Sequence, residues 1–251
     1  MNDVKADELF VNDVFATPEW LKAGYPEFAE ARARMAEVVF SADGALPLRI
    51  KEIVAVSVLA YRDDPTIETH MRRALQAGST VREITEGIMC ASTPGGQPCL
   101  HHAITPLKKL IEELGEEASR RPAKSVKART GRNPTYGTWQ WMEDNYPDYQ
   151  QLRRDVNRLM LTPQDASLEP KFREIVVAVV LACRAYPTVP HHLRRAVQEG
   201  ATLEEIIEAM QVGAQIAGAP VFHHATQYLK QIQEELASGA IALSPVVNGG
   251  E

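Results

Sequence analysis

Apolar and polar positions alternate with a helical period in two places along this chain, and each place opens on the same signal. Thr80 and Thr202 are each followed three residues later by a glutamate, Glu83 or Glu205. That spacing makes a capping box, in which hydroxyl and carboxylate satisfy two backbone N–H groups that a helix start leaves without partners. Gly78 and Gly200 lie just upstream, suited to ending a preceding helix. Beyond the boxes Ile84 and Ile88 fall one turn apart, as do Ile206 and Met210, so each segment predicts an amphipathic helix. Residues 52–62 and 174–184 read differently. Their centres, VAVSVLA and VVAVVLA, are valine-rich apolar runs, and the pattern alone fits a buried strand as well as a buried helix.

These pairs of segments belong to a longer repeat. An offset of 122 aligns residues 46–114 with 168–236 without a gap, and thirty of the sixty-nine pairs are identical. The pairs include Glu52 with Glu174, Arg62 with Arg184, Pro65 with Pro187, Gly96 with Gly218 and Pro98 with Pro220. Upstream, an offset of 121 pairs Trp20 with Trp141, Tyr25 with Tyr146 and Pro26 with Pro147, so the unit starts near Thr17 and again near Thr138. A charged stretch with few apolar residues separates the copies and predicts an exposed linker. The chain therefore divides into a first domain with an N-terminal extension at 1–114, a linker at 115–134, a second domain at 135–236, and a tail without helical period at 237–251.

Charge and cysteine content narrow the function classes. A formal net charge of −6 offers no basic patch, so neither nucleic acid nor an anionic membrane is expected as a partner. No basic n-region with an apolar core opens the chain, and no transmembrane run appears. Cys90, Cys99 and Cys183 are odd in number and have no C-x-x-C spacing, which fits reduced thiols and a cytoplasmic protein.

Each copy carries, in order, Arg49 to Glu52 or Lys171 to Glu174, the apolar run, a histidine eighteen residues after the glutamate, the pattern A-x-Q-x-G-[SA]-T-x-x-E-I, and G-x-P. That order resembles the carboxymuconolactone decarboxylase family, which includes the AhpD-type alkylhydroperoxidases, and the resemblance covers most of both units. It implies an all-α fold built by tandem duplication of an AhpD-like helical bundle, with the valine-rich runs as buried helices, and a homotrimer of fused pairs. The peroxidase branch places a C-x-x-C before the histidine. Here the matching positions are Asp63 and Thr66, and Ala185 and Thr188, so thiol peroxide chemistry is not expected, and the three cysteines read as small core residues.

Six of the seven histidines pair at the repeat offset: His70 with His192, His101 with His223, and His102 with His224. The resemblance puts Glu52 with His70, and Glu174 with His192, at the active site, and His102 and His224 on a pocket-lining helix. The expected arrangement has Glu52 facing His70 and His102, Glu174 facing His192 and His224, and His101 and His223 turned toward an interface or the substrate. Arg72 and Arg194, among the arginines near the histidines with Arg62, Arg73, Arg184 and Arg195, are expected to hold a substrate carboxylate. The resemblance implies a cofactor-independent lyase, with no metal, acting on a small carboxylated lactone from aromatic ring cleavage. For such a reaction histidine is suited to donate to a developing oxyanion or to protonate carbon, and a neighbouring glutamate to orient it. Two other readings stay open: a metal-dependent enzyme using the Glu/His clusters, and a non-catalytic ligand-binding scaffold. Between the copies, Pro94 is expected to break its helix early, and Pro190 and His191 replace Glu68 and Thr69.

Overall fold

The computed structural model describes residues 18–115, 144–161 and 166–241, and within them the chain forms helices and no strand. The first copy supplies α1 (Glu19–Gly24), α2 (Pro26–Val39), α3 (Leu48–Arg62), α4 (Ile67–Gln76), α5 (Val81–Gly95) and α6 (Gln97–Leu114). The second supplies α7 (Pro147–Leu161), α8 (Pro170–Ala182), α9 (Val189–Gln198), α10 (Leu203–Ala217) and α11 (Pro220–Ala237). Most of the expected linker, the start of the second domain at 135 and the last ten positions of the tail lie outside the described residues.

Both capping boxes form. Thr80 Oγ1 accepts the Glu83 N–H at 3.1 Å while the Glu83 carboxylate accepts the Thr80 N–H at 2.8 Å, and Thr202 and Glu205 do the same. Each capping glutamate also reaches back to the start of the valine-rich helix, to Arg49 in one copy and Lys171 in the other, at 2.6 Å in both. The box therefore fixes where α5 and α10 start against α3 and α8.

The two valine-rich runs, α3 and α8, are helices, and every residue at 50–60 and 172–182 is buried. A helix buried along its whole length must be surrounded on every side, and here helices of both copies supply the surround. The copies consequently do not form separate bundles. α5 packs on α8 as well as on α3, α10 packs on α3, and α3 and α8 touch each other. The first long helices cross over too, with α2 against α10 and α7 against α5. One continuous apolar core runs through both copies. Close approach needs small residues, as at Gly213 of α10, where an added Cβ would lie 2.6 Å from Val179 Cγ1 and 3.1 Å from Val221 Cγ1.

The seam is sealed by two equivalent ionic contacts. Glu86 on α5 accepts N–H groups of Ser167 and Leu168, the latter at 2.6 Å, and pairs with the fully buried Arg173. Glu208 on α10 accepts N–H groups of Ala45 and Leu46 at 2.7 and 3.0 Å and pairs at 2.9 Å with buried Lys51. Each contact is the other read with the copies exchanged, which is the mark of a twofold-like, self-complementary interface.

Pro94 does not shorten its helix. α5 runs to Gly95 and matches α10 at 15 residues each, because a proline in the last turn removes one backbone bond and leaves no further turn to disturb. Its carbonyl accepts from Arg184 Nη1 of the other copy at 3.1 Å.

Candidate active site

α3 is capped by Asp63, whose left-handed backbone (φ 57°) turns the chain back so that α4 lies along α3. That hairpin carries His70 onto Glu52. His70 Nδ1 lies 2.7 Å from Glu52 Oε2, and Arg73 Nε donates to Glu52 Oε1 at 2.9 Å. The second copy repeats the arrangement: His192 Nδ1 lies 2.7 Å from Glu174 Oε2, and Arg195 Nε is 2.7 Å from Glu174 Oε1. Both glutamates are buried, which a carboxylate tolerates only when paired and hydrogen-bonded. For Glu174, burial pushes the carboxyl pKa up, but the hydrogen bond and charge of His192, with Arg195, outweigh it and hold the group below the ordinary glutamate range. The glutamate is thereby kept as an anion that orients the imidazole.

The structure brings together Glu52 with His70, and Glu174 with His192, and does not add His102 or His224 to those pairs. His102 Nε2 lies 2.9 Å from the Asp64 carbonyl and its Nδ1 2.5 Å from Asp63 Oδ1. His224 Nε2 lies 3.4 Å from the Tyr186 carbonyl and its Nδ1 is met by Gln227 at 3.0 Å. Both rings thus lie against the carbonyls of the α3–α4 and α8–α9 turns. His101 and His223 are exposed.

Arg72 and Arg194 are also placed elsewhere than on a substrate carboxylate. Arg72 pairs with Glu68 and Glu113, and Arg194 grips Glu235 with two bonds of 2.6 and 2.7 Å. The residues that do meet the buried carboxylates are Arg73 and Arg195. Spacing carried that signal: three residues after a helical histidine is the same face, whereas two residues after is not.

Among the described residues no three His, Cys, Asp or Glu side chains gather as a metal ion would require. In each copy a guanidinium occupies the carboxylate oxygen opposite the histidine, putting positive charge where a cation would sit. Burial pushes the Cys90 and Cys183 thiols up to about 12, and Cys99 is raised by the same cause. All three are held as thiols, poor nucleophiles for peroxide chemistry.

An all-helical, internally duplicated protein with a carboxylate-oriented histidine in each copy is what fold and site define together. The chain belongs to the carboxymuconolactone decarboxylase family, whose model matches residues 26–109 and 147–231. Among solved structures it is similar to a protein of Burkholderia xenovorans LB400 provisionally named a gamma-carboxymuconolactone decarboxylase subunit, at 24% identity and a TM-score of 0.58. That match covers 92% of this chain and 94% of the other, and it shows the shared fold. Among curated proteins none matches. No helix of the described residues is long and apolar enough to cross a membrane.

Proposed function

We propose that the chain is a cofactor-independent carbon–carbon lyase that decarboxylates a small carboxylated lactone of the kind produced by aromatic ring cleavage. The observation that carries this reading is the anchored carboxylate, which gives one oxygen to arginine and the other to histidine Nδ1, in both copies. With Nδ1–H committed to the glutamate, Nε2 is the nitrogen that meets substrate. The bond from carbon to the departing carboxylate breaks, and its electron pair moves onto the lactone carbonyl oxygen. The ring acts as the imidazolium, the one form with hydrogen on both nitrogens: Nε2–H stabilises that oxyanion and delivers its proton to carbon as carbon dioxide leaves, and the neutral imidazole left behind takes a proton back from water.

The test is turnover of γ-carboxymuconolactone, followed by carbon dioxide release. The double variant H70Q/H192Q keeps polarity and removes both titrating rings, and its rate is expected to fall roughly 100- to 10,000-fold. Activity is expected to survive chelator and thiol alkylation. A folded double variant working at the parent rate sinks the acid–base reading, and activity lost to chelator and restored by metal moves the assignment to the metal-dependent alternative.

Assembly as a homotrimer goes with this reading. α2 and α7, with the residues just before them, leave large apolar side chains exposed at matching positions, Tyr25 and Tyr146, Phe28 and Tyr149, Met35 and Val156, and two such stripes on one chain suit a closed ring. The Burkholderia relative is itself called a subunit. Light scattering that finds a monomer at micromolar concentration rejects the trimer.

A further inference from the structure

The two copies hold the same anchored histidine but not the same access to it. In the first copy the His70 side chain is 1% exposed; in the second, His192 is 14% exposed. Three differences around the ring run in the same direction. Phe40 closes over the first site, its ring 5.7 Å from that of His70 and 5.6 Å from the Arg73 guanidinium; the matching position, at the offset of 121, is Leu161, which has no ring to stack. Glu68 ties α4 to α6 through Lys109 at 2.8 Å; its counterpart is Pro190, which has no carboxylate. Asp63 ties the α3–α4 turn to His102 on α6; its counterpart is Ala185, and His224 is left to Tyr186 and Gln227.

We infer that the chain divides its labour: substrate is processed in the second copy, where His192 is reachable and His191 stands at its side, while the first copy is a closed structural counterpart. His191 has no counterpart histidine in the repeat, the first copy having Thr69 there. Its ring meets that of His192 edge-on at 5.1 Å. Burial, and the charge of His192 after it, push its pKa down to about 4, so near neutral pH it presents an uncharged imidazole, able to donate at one nitrogen and accept at the other.

This inference rests on the lyase reading for its chemistry and on geometry alone for its access, and one experiment separates the two. Diethylpyrocarbonate acylates reachable neutral imidazoles, and peptide mass spectrometry of the full chain reports each histidine. With fragment ions used to assign the label to His192 rather than to its neighbour His191, His192 is expected to label at least tenfold faster than His70, with a urea-unfolded control showing that His70 can react. Loss of γ-carboxymuconolactone turnover is expected to follow His192. The triple variant L161F/A185D/P190E, which gives the second copy the first copy's closures, is expected to slow His192 labelling toward the His70 rate. Equal labelling of His70 and His192 in the folded parent, inactivation that follows His70, or a triple variant that labels His192 as fast as the parent each overturns the inference. A parent protein that never turns over the lactone removes the lyase reading instead, and the labelling rates still decide which site is open.

Discussion

Replacing Glu86 by alanine removes the central group of one seam contact between the copies. In the parent this carboxylate accepts the backbone N–H groups of Ser167 and Leu168 and neutralises Arg173, a guanidinium with 1% of its side chain exposed. Without it Arg173 keeps its donations to the Met160 and Leu168 carbonyls, but its charge is buried with no counter-charge, and two N–H groups lose their acceptor. Breaking a buried pair from one side costs about 3–5 kcal/mol, a large part of the ~5–15 kcal/mol that stabilises an ordinary folded protein. Urea unfolding followed by circular dichroism should show a midpoint lower by roughly 1–2 M, taking a slope near the top of the usual range. Because one core runs through both copies, the transition should remain single. Glu208→Ala should lose less, since Glu208 is only partly buried and Lys51 retains the Ser41 carbonyl at 3.0 Å. The double variant E86L/R173M, with both charges gone, should recover much of the loss. A Glu86→Ala protein within about 0.5 kcal/mol of the parent would refute the argument that this pair holds the copies together.

Other expectations concern single positions. Ala185 sits in the left-handed region at φ 49°, where asparagine is tolerated better, so Ala185→Asn should raise stability by about 0.5–1 kcal/mol, read as a higher Tm. Gly213→Ala should lower stability by about 1–3 kcal/mol in urea unfolding, because its methyl has no room beside Val179. The His191 pKa is about 4 folded, against about 6.5 in a free chain. The unfolded state therefore binds the extra proton between those values, and stability falls as pH drops through that window. Discounted for partial exposure, the penalty near pH 5 is about 1–2 kcal/mol. His191→Thr should flatten the Tm profile between pH 7 and 5, and an unchanged profile would assign the acid sensitivity to other groups.

The repeat and the caps were legible because each is a matter of spacing: Thr80 with Glu83 is a separation along the chain that translates directly into a helix start. The pairing of Glu52 with His70 came instead from the family resemblance, since eighteen residues of separation do not by themselves say that two side chains meet. The valine-rich runs were ambiguous for a reason the fold supplies: α3 and α8 are buried on every side, so no polar stripe remains to reveal a period. The places of His102 and His224 were not legible, since they depend on backbone carbonyls of the α3–α4 and α8–α9 turns. Nor was the crossing of the copies, because Lys51 and Arg173 look in sequence like ordinary first-turn cations, and only their partners, 157 and 87 positions away, make them part of a seam.

The crossing of α5 onto α8 and α10 onto α3 bears on how such a protein can change. In an assembly of identical chains any substitution arises at every equivalent place at once, so a change that closes one cavity closes them all. Joining two copies in one gene lifts that restriction without dissolving the shared core. Phe40 can be aromatic while Leu161 is not, and Glu68 acidic while position 190 is proline. One half is then free to specialise while the other goes on supplying the helices against which it folds.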